Sequence, residues 1–275
     1  MEPIKLTINS YLQRISNILL IHGGFLTNPG LFTGEMGLVV FFSRYAHYTH
    51  NDLYADYSFD LTKKIQSIIH QKTPNNYMQG LTGIGAAIEY LVQYDFFEAD
   101  TDDILEAFDK QIFAIENLNH LPVDELLGIL YYAYWRIAGN SVRKNTIMKK
   151  VMPPVVGLLR EKARQLKLTI PSLSFFRELI ENKTIGTSQD VPVLPLSLQV
   201  NRDEYPYGLE ANVYNRFIEQ IPDEAFFKKN AFDLGLHKGL AGFGMALMTQ
   251  LDGDDSWISL FPNDLIPKQN EPLPV

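Results

Sequence analysis

Apolar residues recur along most of the chain at intervals of three and four positions, which is the spacing of one face of an α-helix. The predicted helices are of two kinds. Some have one polar side, and these cover residues 6–21, 52–70, 101–116 and 141–166. Others are apolar nearly all round, and these cover residues 35–48, 80–94 and 123–138. Because a helix without a polar side is normally buried, the pattern predicts an all-α protein in which amphipathic helices cover an inner layer, as in stacked helical hairpins.

A glycine-rich pattern stands at the start of three apolar segments. GLFTGEMG begins at Gly30, QGLTGIG at Gln79 and GLHKGLAG at Gly235. A glycine inside a helix costs about 1 kcal/mol relative to alanine, so its repetition needs a structural reason. Glycine permits positive φ and lets two backbones approach closely. We therefore interpret six of these glycines as positions where inner helices crowd together, namely Gly34, Gly37, Gly80, Gly83, Gly239 and Gly242.

The spacing of the glycines indicates an internal repeat. Gly34 and Gly80 are 46 positions apart, and Gly239 follows after 159, which is three intervals of 53. A further copy is expected in PVDELLGILYYAYW, where Gly128 comes 45 positions after Gly83. Another is expected near residue 175, in PSLSFFRELIEN. Periods of this length in paired helices are typical of stacked helical hairpins, either open or closed into a ring.

The length of 275 residues fits one large domain, and we predict a single domain over residues 1–275. Pro153 and Pro154 are expected to break or kink the helix predicted over 141–166. Residues 183–210 are predicted to form an irregular loop or insertion, 211–229 a helix, and 258–275 a non-helical, proline-rich tail.

Composition narrows the function classes. The net charge of −8 argues against a nucleic-acid-binding surface. The chain contains no cysteine, which excludes disulfides, thiolate catalysis and cysteine-ligated zinc. No segment approaches the ~18 apolar residues of a membrane span, and the first residues do not resemble a signal peptide. We therefore expect a cytoplasmic protein that binds neither nucleic acid nor a membrane.

The glycine clusters resemble the recurring G-L-x-x-G-x-x-G element of the lanthionine synthetase C-like (LanC-like) family. The element is present as Gly30/Gly34/Gly37 and as Gly235/Gly239/Gly242, with GLTGIG from Gly80 as a shorter form. GLAGFGMAL is particularly similar to the closing repeat of such proteins. The resemblance implies an α/α toroid, complete or incomplete, in which an inner barrel of helices lies inside an outer ring.

The resemblance also implies a chemistry that this chain can be checked against. Enzymes of the family cyclise peptides by adding a cysteine thiol to a dehydrated serine or threonine, and their zinc is held by two cysteines and one histidine. The corresponding W-C-x-G and C-H-G elements are absent from this sequence. We therefore expect no metal or other cofactor, and a non-zinc accessory or peptide-binding role in bacterial ribosomal-peptide modification. The expected partner is a peptide substrate or a peptide-modifying enzyme.

If the inner helices surround a cavity, the polar residues at their N-termini should line its rim. That rim is predicted to comprise Thr33, Glu35, Gln79, Thr82, Asp124, Glu125, His237 and Lys238. Glu35, Asp124 and His237 are weak candidates for acid–base catalysis, and Glu35 and His237 are expected to approach one cavity. The simpler interpretation is that the carboxylates cap helices and that His237 is an ordinary polar residue.

Two other functions remain open at this stage. One is a glycan-processing hydrolase that uses rim carboxylates, since α/α toroids also carry such enzymes. The other is a purely structural interaction module. Glu89 is expected to be paired or at the rim rather than catalytic, because it lies within an apolar helix. The sequence DGDD at 252–255 is expected to form a turn.

Overall fold

A computed structural model describes residues 2–70, 72–114, 116–181, 194–199 and 233–265. Within these ranges the chain forms helices and no strand. The α-helices are α1 (Glu2–Gly23), α2 (Glu35–Thr49), α3 (Asp52–Ile68), α4 (Leu81–Gln93), α5 (Thr101–Ile104), α6 (Glu106–Phe113), α7 (Val123–Ala138), α8 (Lys144–Thr146), α9 (Met152–Leu166), α10 (Ser172–Glu181) and α11 (Leu240–Asp252). The all-α prediction is confirmed for the described residues. The loop predicted over 183–210 lies mostly outside them, and the helix predicted over 211–229 lies entirely outside.

The helices form an inner and an outer layer, as the hydrophobic pattern predicts. The inner helices are α2, α4, α7 and α11, and most of their residues are buried on every side. Outer helix α3 buries only Ser58, Leu61 and Ile65, which face α2. The apolar core is therefore shared among the inner helices, and the amphipathic helices cover it.

The inner helices stand side by side in the order α11, α2, α4, α7, and they run parallel. Near their C-terminal ends, Arg44 of α2 hydrogen-bonds Asp252 of α11, and Glu89 of α4 pairs with Arg136 of α7. Near their N-terminal ends, the turns that precede the helices touch through their backbones. The first outer helix, α1, packs on both α11 and α2, so the two ends of the described chain meet.

Pro153 and Pro154 do not break the helix in which they lie. They occupy the first turn of α9, where their missing N–H groups are not needed. The irregularity instead lies just before them, as a π-helical turn over Ile147–Val151. The predicted break is therefore displaced toward the N-terminus by several residues.

The three glycine-rich segments fold into the same turn, which we call the glycine turn (residues 28–34, 74–80 and 233–239). In each, the amide of the first helical residue donates to a carbonyl seven positions earlier. These bonds join Glu35 to Asn28, Leu81 to Pro74 and Leu240 to Asp233, each at 2.8 Å. The turn thus caps the inner helix with its own backbone, and none of the three N-cap glycines uses a side-chain cap.

This backbone cap explains why glycine recurs at the N-cap. Gly34, Gly80 and Gly239 have φ values of −115°, −119° and −112°, so positive φ is not the reason. Instead, a Cβ at Gly80 would lie 2.7 Å from the carbonyl oxygen of Asn76, and one at Gly34 would lie 2.6 Å from that of Gly30. Only a residue without a side chain lets the turn close this tightly.

A second set of glycines, in α2, α4 and α7, lies where these helices pack against the neighbouring turn. A Cβ at Gly37 would lie 2.9 Å from Leu236, and one at Gly83 would lie 3.4 Å from Leu31. Gly128 of α7 repeats this relation, because its Cβ would lie 3.2 Å from the amide nitrogen of Tyr77. Helix α7 is thus the fourth copy that the spacing predicts. The copy predicted near residue 175 is α10, which buries one face only and contains no glycine.

Candidate functional site

The glycine turns gather at one end of the inner layer and form a continuous surface. The amide of His237 donates to the carbonyl of Phe32 at 2.8 Å, and the amide of Phe32 donates to that of Met78 at 2.9 Å. The predicted rim residues differ in exposure at this end. Thr33, Gln79 and Asp124 are exposed, Glu125, His237 and Lys238 are half-buried, and Glu35 and Thr82 are buried.

The first amides of α11 and α2 are already bonded to carbonyls of their own glycine turns. In α11, the amides of residues 240, 241 and 242 donate to the carbonyls of residues 233, 234 and 235. The amides of Glu35 and Met36 in α2 are used in the same way, by Asn28 and Pro29. An anion site at the N-terminus of α2 or α11 would therefore have few donors left.

Glu35 is a buried structural residue and not part of an open rim. Its carboxylate pairs with Lys64 of α3. The Lys64 ammonium also donates to the carbonyls of Gly24 and Leu26, at 2.9 and 2.8 Å. Burial raises the pKa of the Glu35 carboxyl, and Lys64 opposes that rise. The pair ties α2 and α3 to the loop that follows α1.

His237 packs as a neutral aromatic ring on the other side of the turn. Its ring lies 5.2 Å from that of Phe32 and 6.0 Å from that of Phe261. Burial and the neighbouring Lys238 lower the pKa of His237 to about 4, so the imidazole is uncharged at pH 7. Glu35 faces α3, whereas His237 faces Phe32 and Phe261. The two side chains are not brought to one cavity, contrary to the expectation from sequence.

The remaining polar residues of the rim also have local roles. The Thr82 hydroxyl donates to the carbonyl of Asn75 at 2.6 Å, which holds the second glycine turn. Asp124 and Glu125 lie in the first turn of α7, where carboxylates complement the helix dipole. Burial and the charge of Asp124 raise the pKa of Glu125. Among the described residues, no hydrogen bond or ion pair links Asp124 or Glu125 to a side chain of a glycine turn.

The C-terminal segment, defined as residues 252–265, buries its apolar side chains in the core, which was not predicted from sequence. It begins at a turn where Gly253 has a φ of +79°, which confirms the turn predicted for DGDD. The segment then forms two short 3-10 helices, Ser256–Leu260 and Asn263–Leu265. A non-helical tail was predicted from residue 258, yet the described part of it is largely 3-10 helical, and Leu260 and Phe261 are fully buried together with Trp257.

The C-terminal segment contacts all four inner helices. Arg44 of α2 holds its start, with bonds of 2.9 Å to the Asp252 carboxylate and 2.5 Å to the carbonyl of Asp254. Tyr90 of α4 hydrogen-bonds Ser256 at 3.1 Å. The indole of Trp257 donates to Thr249 of α11 at 3.0 Å.

The far half of the segment reaches the glycine turns. Phe261 packs on Phe32 at a ring distance of 4.9 Å, and the Tyr131 hydroxyl of α7 donates to Asp264 at 3.1 Å. The apolar run WISLF was the one sequence signal of this burial. Sequence alone does not show that the inner helices surround this run and bury it.

A second polar cluster surrounds Arg136, which is completely buried in α7. Its guanidinium binds three carboxylates from three elements, at 2.5 Å to Glu89, 2.5 Å to Asp102 and 2.9 Å to Asp109. Tyr132 adds a hydrogen bond of 2.7 Å to Asp109. Burial raises the pKa of Glu89 in spite of Arg136, whereas hydrogen bonds from Ser141, Val142 and Arg136 outweigh burial and lower that of Asp102. The expectation that Glu89 is paired is confirmed.

An open groove of about 590 Å³ lies beside this cluster. It runs between the loop before α5 and the C-terminal end of α7. Its lining consists of Val92, Glu98, Ala99, Asp100, Thr101, Asp102, Gly139 and Asn140. Asp102 is held by Arg136, Ser141 and the amide of Val142, so this carboxylate is already engaged within the protein.

No protein-family model, curated protein or solved structure matches this chain. Within the described residues, no helix is both long enough and apolar enough to cross a membrane.

We expect the purified protein to contain no stoichiometric zinc. The chain has no cysteine, and the described residues contain no group of three histidines or carboxylates able to hold a metal ion. Elemental analysis by mass spectrometry after dialysis measures this directly. A full equivalent of zinc that disappears in His237→Ala would contradict the expectation and would assign His237 as a ligand.

We expect Glu35→Gln to change how stability depends on pH. The raised pKa of Glu35 means that the folded protein holds this proton more tightly than the unfolded chain. Its contribution to stability is therefore complete below the ordinary carboxyl pKa and is lost as the pH rises through the folded value. Relative to wild type, Glu35→Gln should gain stability from pH 4.5 toward neutrality, as measured by urea unfolding.

The sign of this effect has an internal control. Lys110 lowers the pKa of the exposed Glu106, so Glu106→Gln should lose stability relative to wild type above the ordinary carboxyl pKa. Parallel stability curves for wild type and Glu35→Gln would show that burial does not shift Glu35.

Proposed function

We propose that this chain is a LanC-like α/α toroid without the zinc centre, and that it serves as a peptide-binding accessory component in ribosomal-peptide modification. One observation carries the proposal. The face shared by the four parallel inner helices holds a non-α-helical stretch of polypeptide, which is the protein's own C-terminal segment.

The repeated architecture supports the family assignment in this proposal. Three glycine turns cap inner helices through the same backbone bond, and Gly37, Gly83 and Gly128 pack against the neighbouring turn in the same way. Helix α11 lies beside α2 and under α1, although it comes last among the described helices. This return of the chain to its beginning is what a ring of helical hairpins requires.

The chemistry of the inner face supports peptide binding. Arg44 donates to the backbone carbonyl of Asp254, and its guanidinium lies 3.7 Å from the Asp254 carboxylate. Hydrogen bonds from a charged donor are among the stronger ones in proteins. Tyr90 and Tyr131 offer hydroxyl groups at separate points of the face. Phe32 and His237 provide an apolar contact for an aromatic side chain. These groups recognise polypeptide and do not form a catalytic set.

The rim carboxylates give little support to the glycan hydrolase alternative. Such an enzyme needs two carboxyl groups on either side of a bound sugar. Glu35 is buried and paired with Lys64, while Asp124 and Glu125 lie next to each other on one helix. A structural interaction module then remains as the rival outcome.

Selection of random peptides displayed on their messenger RNA tests the proposal. The full chain serves as the bait, and the affinity of each enriched peptide is then measured by titration calorimetry. We expect enrichment of a defined sequence pattern. Tyr90 and Tyr131 also hold the chain's own C-terminal segment, so their effect is measured in Trp257→Ala, in which that segment is weakened. Adding Tyr90→Phe or Tyr131→Phe to this variant should weaken peptide binding about tenfold, because each removes one hydroxyl hydrogen bond. Phe59→Tyr, on the exposed face of α3, is the matched control and should bind as wild type.

Two outcomes would contradict the proposal. Failure of any sequence to enrich, on wild type and on variants of the C-terminal segment alike, would favour a purely structural module. Binding that is indifferent to both tyrosine variants would place the peptide away from the inner face.

A further inference from the structure

The C-terminal segment is attached in the manner of a bound peptide. Its backbone hydrogen bonds are mostly local, from Ile258 to Asp255, from Phe261 to Ile258 and from Leu265 to Pro262. The bonds that join it to α2, α4 and α7 come from the side chains of Arg44, Tyr90 and Tyr131. Its place on these inner helices is therefore set by side-chain anchors. Outside them it is held by an isolated antiparallel bridge between Pro262 and Gln199 and by the amide of Ser172, which donates to Asp264.

The start of the segment has the features of a hinge. Gly253 is exposed, and no atom lies within 4 Å of where its Cβ would be. Its positive φ is accessible to glycine at little cost. On either side of it, the Asp252 and Asp254 side chains keep 35% and 43% of their surface exposed while they contact Arg44. Gly253 is therefore the position at which the chain could turn away from α11 once Arg44 and Thr249 release Asp254 and Trp257.

We propose that residues 254–265 are a built-in ligand that occupies the peptide-binding face and must be displaced before another peptide binds there. This inference rests on the proposed function. It also specifies the class of ligand, because a peptide that binds the face should resemble the segment that occupies it. That class is a peptide in which acidic residues and a serine precede a tryptophan, with a phenylalanine four positions after the tryptophan.

Tethering makes the built-in ligand an effective competitor. A segment joined by a short linker acts at an effective concentration on the order of millimolar. The apparent affinity for a peptide in solution falls in proportion to the fraction of molecules in which the face is open. Wild-type protein should therefore bind such peptides weakly, and loss of a principal anchor should strengthen their binding.

Fluorescence anisotropy with the labelled peptide DGDDSWISLFPNDL, the sequence of residues 252–265, tests this directly. Trp257→Ala should bind it at least about tenfold more tightly than wild type, because the peptide brings the missing indole while the tethered segment cannot. The same peptide with alanine in place of tryptophan is the control, and it should lose this advantage. Equal affinity of both peptides for a folded Trp257→Ala protein, or no binding of either, would overturn the proposal.

Hydrogen exchange on the unmodified protein decides the matter even where Trp257→Ala does not fold. If the segment opens as a unit, the amides of Ile258, Phe261 and Leu265 should exchange faster than those in α2 and α4, with one common opening rate. Exchange of these amides only together with the inner helices would show that the segment is a permanent part of the core. The peptide-display result is independent of this readout, so the two proposals can fail separately.

Discussion

Replacement of Arg136 with methionine is expected to destabilise the protein by about 3–5 kcal/mol, as is usual when one partner of a buried ionic cluster is removed. Arg136, Glu89 and Asp109 are all completely buried. Methionine keeps much of the volume of the side chain but none of its charge. The carboxylates of Glu89 and Asp109 would then lie close together without their cation, and one or both must take up a proton or reach water.

Chemical denaturation measures this effect, and two further variants define it. Lys110→Met removes the exposed partner of Glu106, and it should cost no more than about 1 kcal/mol because surface ion pairs contribute little. Adding Glu89→Gln to Arg136→Met should recover part of the loss, since it removes one of the stranded charges. A cost for Arg136→Met no larger than that for Lys110→Met would mean that the cluster contributes little to stability.

The second large effect is expected for Gly83→Ala, at roughly 1–3 kcal/mol of lost stability through overpacking. The added Cβ would collide with the carbonyl oxygen of Tyr77, which belongs to the glycine turn and cannot retreat without breaking it. Alanine is otherwise the better helix former, so propensity alone predicts a change in the opposite direction.

Gly157 provides the matched control for this substitution. It lies in α9, and no atom is within 4 Å of where its Cβ would be. Gly157→Ala should therefore stabilise the protein by up to about 1 kcal/mol. Thermal unfolding of the two variants should shift in opposite directions, and a shift in the same direction would remove the packing explanation for the repeated glycines.

The inner layer was predictable because its sequence pattern has a local physical cause. A helix with no polar side has few ways to fold except to be surrounded, and α7 begins and ends at the residues predicted from sequence, Val123 and Ala138. Gly83 and Gly128 are regularly spaced because each lies where its helix packs against the neighbouring glycine turn. The close neighbours of Gly34 and Gly80 are carbonyl oxygens of their own turns, and sequence does not reveal which carbonyl oxygens lie next to an N-cap residue.

The candidate site was less predictable because it depends on which residues meet across the fold. Glu35 directly follows Gly34 and His237 comes two positions after Gly235. Yet Glu35 turns toward Lys64 in the outer layer, and His237 turns toward Phe261. The bond between Arg44 and Asp252 joins residues 208 positions apart. No periodicity or spacing signals such a pair, and a buried arginine in an apolar helix indicates only that some carboxylate must reach it.

The packing of α11 between α1 and α2 has a consequence for synthesis of the protein on the ribosome. Helix α2 emerges early, but the residues that cover its Arg44 side belong to a helix made some 200 positions later. At elongation rates of about 5–20 residues per second, that interval lasts roughly 10–40 s. During this time the nascent chain exposes a strongly apolar surface that α11 later covers, so we expect its yield in cells to depend on chaperones that bind such surfaces while translation continues.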